Sequence, residues 1–510
     1  MPYALISVSD KTGIEQIAIE LENRGYGILS TSSTARHLRG YCREVTEVSD
    51  LTGFPEILDG RVKTLHPRIH GGILADRDIE EHLQTLQAHD ISPIDIVIVN
   101  LYPFAKTVAD PKSDHDLIIE NIDIGGPTLL RAAAKNYRHV MVITDPADYQ
   151  QALTALDEGG EMALDFREYL AKKVFASVSA YDAMIATYLG GRKEETVLPA
   201  ELFLSLERRQ ILRYGENPHQ AGALYTSGKS LFRVLHGKEM SYTNNMDVDA
   251  AFRAIRLFPE PSAIIFKHCN PCGVGSGANI TEAYARALAT DTVSPYGGIV
   301  IVNRVLDMDT AQAINQVFTE IIVAPEYADG VLEFLMKKKD RRLVEYIPQA
   351  LTDFDPAYQI RSLTNSILIQ EWDRMEDDRS SWQVVTRRSP DPDELQALRF
   401  SWACVSIMTS NAIALCSKDQ ALGLGMGQTS RIDSTEIAVR KAKRFGHDLQ
   451  GAVCASDGFF PFRDSIDELY VQGIRAVIQP GGSKGDPGVI AACDELGIAM
   501  IFTGVRHFKH

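Results

Sequence analysis

A chain of 510 residues is too long for one hydrophobic core, so about two to four domains are expected. A formal net charge of −16 excludes a general nucleic-acid or membrane-surface binder, which needs a basic footprint, and leaves any anionic ligand to local basic clusters. Seven cysteines, an odd number, exclude a disulfide framework. With no secretory signal after Met1 and no apolar run long enough to span a bilayer, a cytoplasmic protein is expected.

In chain order, strand and helix patterns alternate. Tyr3 to Val8 is a short apolar strand; Ile14, Ile17, Ala18 and Leu21 then recur at helical spacing, with Gly25 where a helix ends. Ile94 to Val99 is a β-branched run suited to a strand covered on both faces. Gly125-Gly126-Pro127 reads as a turn feeding a helix to Lys135, Val140 to Thr144 as a strand and Phe166 to Tyr188 as a helix. This alternation predicts an α/β domain with a parallel sheet. The polar stretch Gly190 to Val197 is the expected linker, dividing the chain at residue 196 into 1–196 and 197–510. The second part is again α/β. Lys267 to Gly277 reads as a Gly-containing loop before a helix at Glu282 to Ala289, and Gly423 to Gln428 as a Gly-rich loop before a basic helix at Thr435 to Phe445. This echo predicts two similarly built subdomains.

Anion-binding chemistry gathers at the expected strand ends of the first domain. Ser9, Asp10 and Lys11 follow the first strand, Thr31 and Thr34 the second, and Asn100 and Tyr102 the Ile94 to Val99 strand. Arg61, Lys63 and Thr64 add a guanidinium, an amine and a hydroxyl, and Asp123 precedes Gly125 and Gly126. In an open parallel sheet these segments converge at the C-terminal ends of the strands.

A second cluster lies beyond residue 197. Lys267-His268 ends an apolar strand, a pairing that suits proton acceptance beside stabilisation of negative charge. Arg213-Tyr214, Asn411 and Arg431 supply guanidinium, phenol and amide groups, and Phe459 and Asp464 offer a ring face beside an acid, suited to a flat heterocycle carrying amino groups. Cys269-x-x-Cys272 gives two of the three or four ligands a zinc site needs, and no second pair lies at ligand spacing, so no catalytic metal is expected. A zinc-dependent nucleoside deaminase and a non-catalytic nucleotide-binding protein are the alternatives.

Ser-Val-Ser-Asp-Lys-Thr-Gly from Ser7, Gly-Arg-Val-Lys-Thr-Leu-His-Pro from Gly60, Asn-Leu-Tyr-Pro-Phe from Asn100 and Leu-Arg-Ala-Ala-Ala-Lys-Asn from Leu130 occur in that order. Arg-Tyr-Gly-Glu-Asn-Pro-His-Gln from Arg213, Lys-His-Cys-Asn-Pro-Cys-Gly from Lys267 and Ser-Asp-Gly-Phe-Phe-Pro-Phe-Arg-Asp from Ser456 follow. As an ordered set the chain resembles the bifunctional purine biosynthesis proteins, which join phosphoribosylaminoimidazolecarboxamide formyltransferase to IMP cyclohydrolase. The resemblance implies a methylglyoxal-synthase-like cyclohydrolase domain and a transformylase of two cytidine-deaminase-like α/β subdomains without zinc. It further implies a homodimer, nucleotide and folate substrates, and 10-formyltetrahydrofolate as a consumed co-substrate.

Carried over by motif, Lys63, Tyr102, Asp123 and Lys135 surround the reacting groups of the cyclisation, with Lys135 the principal proton-transfer residue; Ser9, Asp10, Lys11, Thr31, Thr34, Arg61, Thr64, Asn100 and Gly126 hold its nucleotide. In formyl transfer His268 accepts the amine proton, Lys267 stabilises the oxyanion and Asn411 orients. Arg213, Tyr214, Gly297, Glu320, Arg431, Phe459 and Arg506 bind the nucleotide, with Asp464 and Ser483 on the folate side. One departure stands out: where the family reads Ser-Gly-Gly-Thr, this chain has Thr31-Ser32-Ser33-Thr34, losing easy access to positive φ and room for a phosphate.

Overall fold

The computed structural model describes residues 2–191, 198–228, 230–349, 351, 358–373 and 381–510. It divides into two compact units, Met1–Ser205 and Leu206–His510. The boundary expected at residue 196 falls within 192–197, outside the described residues. Among the described residues no helix is long and apolar enough to cross a membrane.

The first unit is built on β1 (Tyr3–Val8), β2 (Gly27–Ser30), β3 (Val45–Glu47), β4 (Ile94–Asn100) and β5 (Met141–Ile143), in the order β3-β2-β1-β4-β5. Every pairing is parallel, as the strand–helix alternation predicts. Ile96, Val97, Ile98 and Val99 of β4 are all buried, so helices cover both faces. The helix Ile14–Asn23 buries Ile14, Ile17, Ala18 and Leu21, the stripe its spacing predicts. The helix expected over Phe166 to Tyr188 is longer, Gly160–Gly190. Strand order reverses between β2 and β4 on either side of β1, which opens a crevice at the strand C-termini.

The second unit begins with an antiparallel ribbon, β6 (Glu207–Leu212) and β7 (Gly222–Thr226). Two six-stranded sheets follow. The first orders β10 (Asn270–Ser276), β9 (Ser262–Lys267), β11 (Gly298–Val302), β12 (Thr319–Ala324), β13 (Arg342–Tyr346) and β8 (Phe232–His236). A separate antiparallel pair, β14 (Gln359–Ser362) and β15 (Ile367–Gln370), precedes the second. That sheet orders β18 (Ala421–Gly425), β17 (Ile413–Cys416), β19 (Val453–Ser456), β20 (Ala476–Gln479), β21 (Ala499–Phe502) and β16 (Gln383–Val384).

The two sheets share one connectivity. In each, a hairpin lies at one edge, its first strand runs antiparallel to the next, two parallel pairings follow, and an antiparallel strand closes the far edge. The echo legible in the sequence is thus a repeated subdomain. Alternation along the strands sorts side chains to two faces: Ile264 and Phe266 of β9 enter one core, Ala263 and Ile265 another. The inner core joins both sheets across the helices Tyr242–Ile255 and Pro392–Ser406, while outer cores pack under Ile280–Thr290 and Arg431–Arg444.

Two glycine-rich stretches read as loops are strands. An added Cβ at Gly273 would lie 1.9 Å from the Ala287 carbonyl oxygen, and one at Gly425 would lie 1.9 Å from that of Ser434. The glycines let β10 and β18 press onto the backbones of Ile280–Thr290 and Arg431–Arg444, a packing demand that mimics a flexible loop in sequence.

Candidate active sites

The first unit's crevice is a cleft of about 570 Å³. The turn after β1 brings Ser9 and Lys11 to it, and the start of the helix Ser32–Leu38 brings Thr31, Ser33 and Thr34. The Thr34 hydroxyl donates to the Val8 carbonyl (3.2 Å), and the Ser7 and Thr31 hydroxyls meet at 2.8 Å, so the two loops are laced together. Asn100 at the end of β4 also serves the first loop. Its Oδ1 accepts from Ser9 N (2.6 Å) and Asp10 N (2.9 Å), and its Nδ2 donates to Asp10 O (2.8 Å). Asp10 itself turns to Thr12, whose hydroxyl (2.7 Å) and amide (3.0 Å) hold the carboxyl below the usual range.

Thr31 is extended (φ −95°) and helix begins at Ser32, and no residue from 31 to 34 has positive φ. The local backbone is thus one that serine adopts, without the positive φ that glycine would open. Ser33 lines the cleft, while the Ser32 hydroxyl donates to Glu56 and accepts from Lys63 Nζ at 3.4 Å.

Arg61, Lys63 and Thr64 enter from the segment after β3, and each base has an acidic partner that its motif does not reveal. Lys63 Nζ lies 3.4 Å from Glu56 Oε2, and Arg61 pairs with Glu120. Tyr102 is exposed at the mouth, and Asp123 faces the N-terminus of the helix Gly125–Lys135. Gly126 N donates to Asp123 Oδ1 at 2.8 Å. Burial pushes the Asp123 carboxyl above the usual range, opposed by N–H donors of Gly126, Tyr102 and Gly125. Tyr181, from the distant helix Gly160–Gly190, accepts from Asp123 N at 2.8 Å, a support that no local pattern announces.

Lys135 is not brought to this cleft. It is exposed at the far end of the helix that Gly125 begins, about 13 Å along the axis from Gly126, among Arg131, Tyr137 and Phe175. Within one chain, the cleft holds the half-buried Asp123 together with Lys63 and Tyr102.

In the second unit Lys267 and His268 form the tip of the β9–β10 hairpin. His268 and Cys269 both take left-handed conformations (φ 54° and 57°), the signature of a two-residue type I′ turn. Lys267 Nζ donates to Tyr296 O (2.8 Å), and Gly297, at φ 74°, donates to Phe318 O (2.7 Å). Glu320 follows on β12, bonded by Arg342 Nη1 at 2.9 Å. Lys267, Gly297 and Glu320 thus share one end of the first sheet.

The opposite end of the second sheet gathers the remainder. Asn411 precedes β17 and donates through Nδ2 to Gln428 O (2.9 Å); the Ser410–Asn411 peptide is cis. Phe459 follows β19 and is 39% exposed, leaving a ring face open. Arg506 stacks 4.6 Å from Phe508, whose ring packs on Gly458. Asp464 opens the helix Asp464–Val471, and the Ser483 loop lies beside it, with Gly485 against Pro461. Thr409 N donates to Asn270 Oδ1 (2.9 Å), joining the His268 hairpin to the Asn411 segment. Arg213 and Tyr214 follow β6 on the separate ribbon, guanidinium over ring at 5.2 Å.

Arg431, expected as a nucleotide ligand, is largely committed to protein partners. Its side chain is 6% exposed; Nη1 donates to the fully buried Asp457 (2.6 Å) and Nε to Phe459 O (3.0 Å). A guanidinium so held fixes the Asp457–Phe459 loop. The Cys269 and Cys272 thiols are pushed up by burial to about 11 and about 12, and Cys272 Sγ donates to Ile265 O (3.4 Å).

A family model described as the AICARFT/IMPCHase bienzyme matches residues 133–441, and an MGS-like domain model matches residues 13–128, within the parallel-sheet unit. The bifunctional purine biosynthesis protein PurH of Chloroflexus aurantiacus is 49% identical over 510 residues, covering 99% of this chain and 98% of that one. PurH of Persephonella marina is 48% identical over 521 residues, covering 99% of each. A solved structure, described as the crystal structure of ForH, is 38% identical over 38% of this chain and 100% of its own, with a TM-score of 0.34. Matched along almost its whole length by relatives nearly half identical to it, the chain belongs to the AICARFT/IMPCHase bienzyme family.

Proposed function

We propose that this chain catalyses the two closing steps of inosine monophosphate synthesis, formyl transfer to aminoimidazole carboxamide ribonucleotide and cyclisation of the product. The observation that carries the reading is the separation of two chemistries: an acid–base cleft around Asp123 and Lys63 in one unit, and a Lys267–His268 turn beside the Asn411 segment in the other. Residues 1–196 are assigned to the cyclohydrolase and 197–510 to the transformylase. The repeated sheet connectivity supports the reading of the latter as paired cytidine-deaminase-like subdomains.

In formyl transfer the substrate amine attacks the formyl carbon of 10-formyltetrahydrofolate. His268 takes the amine proton, Lys267 faces the developing oxyanion, and tetrahydrofolate leaves as the C–N bond to its N10 breaks. In cyclisation the carboxamide nitrogen attacks the formyl carbon of the same molecule and water is lost. Both reacting groups are already tethered, so positioning contributes most. Asp123 is the base for the carboxamide nitrogen, with Lys63 and Tyr102 at the formyl oxygen. A cytoplasmic homodimer acting on small molecules completes the proposal, and Lys135 has a part in cyclisation only if a second copy carries it to the cleft.

The test supplies purified protein with each substrate separately. His268→Ala should abolish formyl transfer and leave cyclisation of supplied formylated nucleotide intact; loss of both in folded protein would sink the two-site assignment. Lys135→Ala in the same assay reads the second copy's part: lost cyclisation supports completion across a dimer, and full activity removes Lys135.

A further inference from the structure

The left-handed turn at His268–Cys269 is not self-supporting. Neither residue is glycine, and a side chain held in this region is strained, so the surroundings must fix it. The amide side is fixed by Asp247, whose Oδ1 accepts from Cys269 N at 2.6 Å. The carbonyl side is fixed by a residue 240 positions away: Lys509 Nζ donates to Cys269 O at 3.1 Å and to Ile407 O at 3.0 Å. Ile407 is the C-cap of the helix Pro392–Ser406 and leads directly to Ser410 and Asn411.

We propose that Lys509 is a positioning residue for formyl transfer, its ammonium clamping the His268 turn to the segment that presents Asn411. This rests on the transformylase reading given above. Burial, which disfavours the charged form, and secondarily the charge of Arg253 bring the Lys509 amine down to about 8. The clamp is distinct from the anchoring of the C-terminal tail. Main-chain atoms of Lys509 hold the tail, with Ser410 N donating to Lys509 O (2.9 Å) and Lys509 N donating to Ser410 Oγ (3.2 Å). Removing the ammonium therefore releases the turn while the tail keeps its own bonds. Asn270 makes a parallel link, its Oδ1 accepting from Thr409 N at 2.9 Å.

The experiment compares wild type, Lys509→Met and Asn270→Ala as full-length enzyme, measuring kcat and KM for formyl transfer and the rate of cyclisation on the same preparations. A displaced proton acceptor lowers kcat by about 10- to 100-fold, leaves KM for the nucleotide within about threefold, and leaves cyclisation unchanged. Should Lys509→Met unfold the second unit, seen as loss of its tryptophan signal, Asn270→Ala carries the same expectation. A folded variant with kcat within about twofold of wild type overturns the proposal, as does raised KM with kcat intact, which would make Lys509 a binding group. Wild type that turns over no formyl donor would instead overturn the transformylase reading, independently of Lys509.

Discussion

Gly126→Ala is a sharp probe of the proposed cyclohydrolase cleft. An ideal Cβ at Gly126 lies 2.4 Å from Asp123 Oδ2 and 2.9 Å from Leu101 Cδ2, both nearer than a carbon tolerates. Gly126 has ordinary helical backbone, and alanine favours a helix over glycine by about 1 kcal/mol, so the fold should survive. The Asp123 carboxylate has to swing away, breaking the 2.8 Å bond from Gly126 N. A hydrogen bond to a charged group contributes about 1.5–3 kcal/mol, which in the barrier is about 10- to 100-fold in rate. Cyclisation of supplied formylated nucleotide should fall by that factor while formyl transfer on the same preparation is unchanged. The pH profile gives a second reading. Asp123 must be ionised to act as base, and burial already raises its pKa, so cyclisation is lost as pH falls through a value above the ordinary carboxylate. Without one of its stabilising N–H donors the acid limb moves further up. Cyclisation within about twofold of wild type, with the acid limb unmoved, would refute Asp123 as the base.

Two further predictions concern stability. Arg431→Ala leaves the fully buried Asp457 without its guanidinium and should destabilise the second unit by about 3–5 kcal/mol. Trp372, Trp382 and Trp402 all belong to that unit, so a urea titration followed by tryptophan fluorescence reads it directly; an unchanged midpoint would show the pair to be dispensable. In the first unit, Lys173 holds Asp145 below its ordinary 3.8, so the pair's contribution is present above pH 3.8 and fades as pH falls through the lower folded value. The stability difference between wild type and Lys173→Met, followed by circular dichroism, should shrink below pH 3.8, and a difference constant down to pH 2 would refute the linkage.

Local periodicity made much of the fold legible. The Ile14–Asn23 stripe and the apolar run of β4 each answer to one neighbour relation, burial on one face or on two. The glycines of β10 and β18 misled because glycine marks both a loop and a strand pressed on a helix backbone, and only the tertiary partner distinguishes them. Motifs located the residues that line the cleft but not the direction of every side chain. Lys135 shares a helix with Gly126 yet stands at its other end, and Arg431 faces a carboxylate 26 residues along the chain. Tyr181 and Lys509 act across 58 and 240 positions, separations at which no spacing rule operates.

The repeated subdomain has put one element to two uses. In the first sheet the edge hairpin ends in Lys267 and His268; in the second, the equivalent hairpin runs from Ser417 to Gln420 and grips its sister. There Asp419 pairs with Arg286 at 2.6 Å, the Asp419 carbonyl accepts from Ser276 N at 2.8 Å, and Gln420 Nε2 reaches Arg286 O at 3.1 Å. The first hairpin in turn is tied to the second subdomain through Asn270 and Lys509, so each turn is held by the other half. The halves are therefore interdependent: either subdomain expressed alone would lose the partners that hold its own hairpin.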